Sequence, residues 1–227
     1  MSEPTEITAQ TLDRAALLAL ATPGTPVTLI SCELDEVDAS DLILNGWVFD
    51  GCTFRHAKLT SAKLEQAQFT GCKGAQADLR SADLLEAVFT GCDFNNSQFQ
   101  GANLAQARFQ RCKLTGANFN HAKTLDISFE ECRLDASRLN GISFHKGHLK
   151  QLDFHNADLH ACDFRDAVFE DCSLRDATVT DARFEGADLR GTDLGGIRLE
   201  HARRFKGATI SRAQAAELLS ELGLRVR

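Results

Sequence analysis

From Leu29 to Leu199 every fifth residue is large and apolar with few exceptions, mostly leucine or phenylalanine. The run reads Leu29, Leu34, Ala39, Leu44, Phe49, Phe54, Leu59, Leu64 and Phe69, passes over Gly74, and resumes from Leu79 to Phe119. Thr124 interrupts once more, and the run then goes from Phe129 to Leu199, thirty-five positions in all without an insertion. Two residues before each stands a smaller apolar residue, usually Ala or Cys. A helix repeats its face every 3.6 residues or so and a strand every second residue, so neither keeps these positions on one side. The backbone must turn a corner once per repeat. That predicts a solenoid, in which each unit buries its apolar face only by stacking on its neighbours.

The cysteines set the number of corners per coil. Eight of them stand at 32, 52, 72, 92, 112, 132, 162 and 172, all at the small inward position, and the first six are twenty residues apart. Twenty residues make four pentapeptides. A four-sided coil therefore stacks seven cysteines in one column, with Leu152 at the missing step and Cys162 on the opposite face. Charges test the same period. Residues twenty apart become vertical neighbours at the inter-strand spacing of about 4.8 Å. Sixteen outward pairs at that offset are of opposite charge, and only Lys113/Arg133 and Arg183/Arg203 are alike. Asp35/Arg55, Lys58/Asp78, Lys63/Asp83, Arg133/Asp153, Lys146/Asp166 and Arg165/Glu185 are among the sixteen. Such cross-strand pairs contribute about 0.2–1 kcal/mol each, and less when exposed.

The segments Ala77-Asp78-Leu79-Arg80-Ser81, Ala102-Asn103-Leu104-Ala105-Gln106 and Ala187-Asp188-Leu189-Arg190-Gly191 resemble the A(D/N)LXX signature of the pentapeptide-repeat family. The resemblance covers about three quarters of the chain. It implies an all-β solenoid, a right-handed quadrilateral β-helix of close to nine coils, or a rod about 40 Å long at the inter-strand spacing.

Both ends of a solenoid need covering, to protect unpaired strand edges and the open core. Residues 11–22 read as a helix capped by Thr11, with Asp13 in its first turn and Leu12, Ala16, Ala19 and Leu20 as its apolar stripe. Thr22-Pro23-Gly24 ends it. Trp47, too large for its small inward slot, is expected to fill space near this lid. At the other end Ser211 and Gln214 form a capping box, Ile210 can staple against Ala215, and Gly223 suits the helix end with Leu224 reaching Leu219. The expected organisation is residues 1–26 as N-terminal cap and connection, 27–203 as β-helix and 204–227 as C-terminal cap. The tail, Phe205 to Ser211 with Ala216 to Leu219 and Leu222 to Leu224, resembles the C-terminal element of Qnr-type gyrase-protecting members. That resemblance implies a homodimer, with Leu218, Leu219, Leu222, Leu224 and Val226 as the dimerisation residues.

Composition narrows the chemistry. The chain has 227 residues, 43% hydrophobic and 25% charged, an ordinary balance for one soluble domain. Its net charge of −7 disfavours direct nucleic-acid binding, which needs clustered Lys and Arg. No apolar run is long enough to span a membrane, and the acidic start Met1-Ser2-Glu3-Pro4-Thr5-Glu6, followed by no cleavable signal, points to the cytoplasm. The Gly51-Cys52, Gly71-Cys72 and Gly91-Cys92 pairs read as corners, since no phosphate-loop pattern accompanies them. The cysteine column has the spacing of the coil and contains no His, so its thiols read as small core hydrophobes. The histidines at 56, 121, 145, 148, 155, 160 and 201 scatter over the faces once wound, and a metal site needs converging ligands. No catalytic pairing, cofactor or metal is expected, and the chain reads as a non-enzyme.

The outward apolar residues are the remaining anomaly. Ile30, Val48 and Val88 fall on one face and Ile43, Leu85 and Leu125 on its neighbour, all in the N-terminal half, while Val168 lies coils away. They mark either a partner contact or packing under the N-terminal helix and its connection. Two functions follow. In the first, implied by the Qnr-type resemblance, an acidic rod mimics DNA, binds DNA gyrase or topoisomerase IV and protects it from quinolone-like or peptide poisons. In the second it is a scaffold or regulatory module for another protein. Against the first, outward charges nearly cancel, leaving a net of −2 or −3 per face, and the coil carries no projecting loops.

Overall fold

A computed structural model describes residues 5–21, 27–197, 203–221 and 223–225. The chain divides into two compact units, Met1–Phe129 and Glu130–Arg227. Several positions singled out above lie outside the described residues: the Thr22-Pro23-Gly24 stop, Leu199, His201, Leu222 and Val226.

In the first unit β1 (Thr5–Thr8), β2 (Val27–Ile30), β3 (Val48–Asp50), β4 (Gln68–Thr70), β5 (Val88–Thr90) and β6 (Arg108–Gln110) lie side by side and parallel, with β7 (Ser128–Glu130) next in order. From β2 onward the register advances by twenty residues per strand, as in Val48↔Gln68↔Val88↔Arg108. The other three faces pair through single parallel bridges at the same offset, such as Lys58↔Asp78 and Lys63↔Asp83. The fold is thus a four-sided β-solenoid, and every fifth residue points inward. Phe49, Phe69, Phe89, Phe109 and Phe129 stack in one column, with centroids 4.8, 4.5, 4.7 and 5.2 Å apart and rings within 14° of parallel. Stacked rings of this kind add about 0.5–1.5 kcal/mol per pair beyond the area they bury. Gly74, the break in the sequence pattern, makes room for a neighbour. A Cβ there would run into the Phe94 ring, so Phe94 occupies the space that a large residue 74 would need.

The N-terminal lid differs from the expected one. Helix α1 runs from Arg14 to Leu20 and its N-cap is Asp13, whose carboxylate accepts from the Ala16 amide at 2.9 Å. Thr11 does not cap. It sits in a parallel bridge with Glu33, because the segment before the helix continues the coil from β1. Starting later rotates the buried stripe, so Leu17 is fully buried while Ala19 is exposed. Arg14 fastens the helix to the coil by donating to the carbonyls of Asp38 at 2.8 Å and Ser40 at 3.0 Å. Trp47 is buried and tilted against Phe49, with ring centroids 6.0 Å apart.

The second unit repeats the scheme with β8 (His148–Lys150) and β9 (Val168–Glu170) parallel in one sheet. Its aromatic column is Phe144, Phe164, Phe184 and Phe205, with centroids 4.9, 4.9 and 4.5 Å apart. Phe205 stands one residue out of step, and the Asp188↔Thr209 bridge shows the same extra residue. Helix α2 (Arg212–Glu221) follows. Its capping box forms reciprocally, with the Ser211 amide donating to Gln214 Oε1 at 2.6 Å and the Gln214 amide to Ser211 Oγ at 3.2 Å. The same buried Gln214 donates through Nε2 to the carbonyls of Leu189 and Thr192, both at 2.7 Å. It ties the helix to the last coil. Gly223 at φ +79 and a Leu224 amide donating to the Leu219 carbonyl at 3.0 Å close the helix.

The corners explain the cysteines. At three corners of a coil the amide of the small inward residue donates to the carbonyl three residues earlier, as in Ala57 to Phe54, Ala62 to Leu59 and Ala67 to Leu64 at 3.0–3.1 Å. His56, Ser61 and Gln66 take the positive φ that such turns require at their third position. The corner after β3, β4 and β5 turns on Gly51, Gly71 and Gly91, and after β2 and β6 on Ser31 and Arg111, all at positive φ. Among the described residues no such turn bond closes at Cys52, Cys72 or Cys92. At Leu152 the next coil's sulfur takes its place, the amide donating to Cys172 Sγ at 3.5 Å. Each thiol in turn donates to a wall carbonyl, Cys52 to Leu29 at 3.2 Å and Cys72 to Phe49 at 3.3 Å. All eight thiols are free and buried. Burial pushes Cys52 up to about 11 and Cys162 up to about 12.

This predicts unequal costs for two identical truncations in the second unit. Cys162→Ala leaves the Ile142 amide its turn bond to Leu139 at 3.1 Å. Cys172→Ala strands the buried Leu152 amide, which costs about 1–2 kcal/mol more. Urea unfolding followed by circular dichroism measures the difference. Equal losses would mean that the thiol column is packing alone.

Candidate interaction surface

Potential chemical sites come first. In the groove between α1 and the first coil, of about 620 Å³, three of the four lining carboxylates are engaged: Asp13 caps the helix, Asp35 holds Arg55 at 2.9 Å and Asp38 faces Arg14 at 3.4 Å. His145 lies 3.5 Å from Asp166 and His148 lies 3.0 Å from Glu170. Among the described residues no three His, Cys, Asp or Glu side chains converge as metal ligands, and no helix is long and apolar enough to cross a membrane.

Outward charges are arranged more locally than the twenty-residue offset suggests. Arg55–Asp35 at 2.9 Å and Lys63–Asp83 at 3.5 Å do pair between coils. Lys58/Asp78, Arg133/Asp153 and Arg165/Glu185 do not: Asp78 and Asp163 hold Arg80 and Arg165 at 2.6 Å, and Arg133 meets Asp135 at 3.8 Å. Asp166 is met by His145, not Lys146. The cause is the A(D/N)LXX geometry. The carboxylate after the small residue accepts the amide two positions on, Asp78 from Arg80 at 3.1 Å and Asp163 from Arg165 at 3.2 Å, which brings that residue's guanidinium within reach. The hydrogen bonds from Arg165 hold Asp163 down at about 2, and those from Arg80 and Arg190 lower Asp78 and Asp188.

The outward apolar residues separate into groups. Ile43 is 57% exposed, and its column continues as Lys63, Asp83 and Asn103. Ile30 and Val48 are half-buried on adjacent columns of the strand face, Ile30 pairing with Asp50 and Val48 with Thr28. Leu85 and Leu125 share a corner column with Ala105 between them, and Val88 follows three residues after Leu85 on the strand face. Leu85 and Val88 are half-buried, and Leu125 is 70% exposed. The structure thus brings together Leu85, Val88 and Leu125 and leaves Ile43 apart. In the second unit Val168 is exposed on the strand face and faces His148 and Asp188 in register. On α2 Leu218 is half-buried while Leu219 and Leu224 are exposed. Leu18 of α1, which the sequence pattern did not flag, is 53% exposed.

Family models recognise this architecture. One described as a pentapeptide repeat region matches residues 68–139. Another, for pentapeptide repeats in eight copies, matches 32–73, 127–166, 153–191, 167–203 and 180–214. No curated protein matches the sequence. Among solved structures, two trypsin-treated variants of QnrB1, described as a plasmid-mediated fluoroquinolone resistance protein, are similar over 99% of this chain and 98% of theirs. They are 18% and 17% identical to it, with TM-scores of 0.61 and 0.59. Identity at that level speaks for the fold alone. With both family models spanning the coils and every corner in place, the chain belongs to the pentapeptide-repeat family.

Proposed function

We propose that this chain is a non-catalytic protein-binding β-helix acting in the cytoplasm, and that its partner is DNA gyrase or topoisomerase IV, which it protects from quinolone-like or peptide poisons. The filled interior carries the first part: inward positions are occupied by Phe, Leu, Ala and Cys, many fully buried, so recognition falls to the outer faces. The partner surface is the group Ile30, Ile43, Val48, Leu85, Val88 and Leu125. The topoisomerase reading is supported by the net charge of −7 and by the likeness to QnrB1, a fluoroquinolone resistance protein. In it the acidic surface stands in for DNA. A second reading, a scaffold or regulatory module for another protein, is favoured by the Arg-paired state of Asp78, Asp163 and Asp188, which removes charge from a DNA-like array.

Residues 204–227 are proposed to pair two copies, with Leu218, Leu219, Leu222, Leu224 and Val226 at the seam. Leu219 at 36% and Leu224 at 54% exposure, with Ile210 at 37% just before α2, are large apolar side chains left uncovered in this segment. A two-fold pairing of identical ends buries them against themselves.

Gyrase supercoiling with and without ciprofloxacin tests the partner. The expected result is supercoiling restored in the presence of drug at chain concentrations that leave the drug-free reaction intact. No effect in either condition would favour the scaffold reading.

Light scattering tests the pairing. The unmodified chain is expected at twice the monomer mass and Leu224→Glu at the monomer mass, with unchanged circular dichroism. A monomeric mass for the unmodified chain at micromolar concentration contradicts the dimer.

A further inference from the structure

One corner of the first unit combines outward leucines with two arginines that form no ion pair among the described residues. Leu85, Ala105 and Leu125 are stacked there by bonds from the Glu86 amide to the Ala105 carbonyl at 2.9 Å and from the Gln106 amide to the Leu125 carbonyl at 2.7 Å. Val88 and Arg108 are register neighbours on the adjoining strand face, and Arg111 follows at its far edge. Arg108 and Arg111 are exposed. Among the described residues neither forms an ion pair, although Arg14, Arg55, Arg80, Arg165, Arg175 and Arg190 all do. The acids around this corner are Glu86, Asp126, Glu131 and Glu130, the last exposed at the end of the neighbouring strand β7. Glu86 accepts from Gln66 at 2.9 Å, Glu131, twenty residues beyond Arg111, lies 3.6 Å from Lys150, and Asp126 stands exposed beside Leu125.

We propose that this corner binds an acidic amphipathic helix of a partner protein, laid along the stacking direction of the first unit. The proposal rests on the protein-binding reading above and names the chemistry of the partner. Two coil steps separate Leu85 from Leu125, roughly 10 Å at the inter-strand spacing. Residues seven apart on a helix are about 10.5 Å apart along its axis and share a face. Apolar side chains at i and i+7 therefore meet the two leucines, and the one between them sits over the small Ala105. Val88 extends the apolar strip toward Arg108. Carboxylates on that flank of the helix meet Arg108 and Arg111, whose planar guanidinium groups bind carboxylates in a fixed fork. On a chain with a net charge of −7 an acidic partner is repelled elsewhere, so these two arginines set its place and direction.

Fluorescence anisotropy with the full chain tests this. The probe is a labelled helical peptide of about four turns with leucines on one stripe and glutamates along one flank. A second peptide carries lysine at each glutamate. The acidic peptide is expected to bind saturably, and the basic one is not. Arg108→Glu and Leu125→Ser should each weaken binding about tenfold, with circular dichroism showing both variants folded. Equal affinity for the two peptides, absence of acidic-peptide binding, or affinity unchanged in both variants overturns the assignment. The same variants in the supercoiling assay separate the two readings. Drug protection retained by a chain that fails the anisotropy test removes this corner and leaves the protein-binding reading standing.

Discussion

Each coil of twenty residues turns four large and four small side chains inward, and what those side chains touch is chiefly the same position twenty residues before and after. That vertical contact holds the fold together. A single coil has no core of its own. It also bears backbone strain, since twenty-five non-glycine residues among those described take positive φ, each at a cost of roughly 1–2 kcal/mol. Parallel bridges, the Phe49–Phe129 and Phe144–Phe205 stacks and the thiol column offset that strain only when a neighbouring coil is present. The helices at the two ends follow from the same need, and Arg14 and Gln214 are the groups that fasten them to the carbonyls of the end coils.

Much of this was legible because inward positions obey one rule. Leu, Phe, Ala and Cys at fixed steps of five predict the four-sided coil, and even the break at Gly74 is filled from within by Phe94. The cysteine period of twenty was readable as a column, but its cause was not. It lies in the one corner per coil that lacks a turn bond among the described residues, where the thiol donates to a wall carbonyl and, at Cys172, also accepts from the Leu152 amide. At the ends the period stops and local competition decides. Thr11 and Asp13 both suit a cap, and the strand-like pairing of Thr11 with Glu33 settled it. The strand β1 was invisible for the same reason, a four-residue segment with no repeat to announce it.

Surface features were the least legible. Opposite charges twenty residues apart marked the coil correctly, yet several acids prefer the arginine two positions along, because the turn already binds their carboxylate to that residue's amide. The six apolar residues read as one patch from the sequence. In the structure Leu85, Val88 and Leu125 adjoin, while Ile43 projects alone and Ile30 and Val48 sit half-buried in the strand face. Function in such a fold depends on outward side chains that the repeat leaves free to vary, so a pattern that defines the inside says little about the partner.

The account stands or falls on the inward ladder, and paired truncations in one stretch of the first unit address it most directly. Phe109 is buried between Phe89 and Phe129, with centroids 4.7 and 5.2 Å away, whereas Gln106 is exposed at the corner three residues earlier. Replacing Phe109 by Ala is predicted to cost about 3–5 kcal/mol and to lower the melting temperature sharply. Gln106→Ala should leave it within experimental scatter. Similar melting temperatures for the two variants would contradict the stacked, inward-facing core.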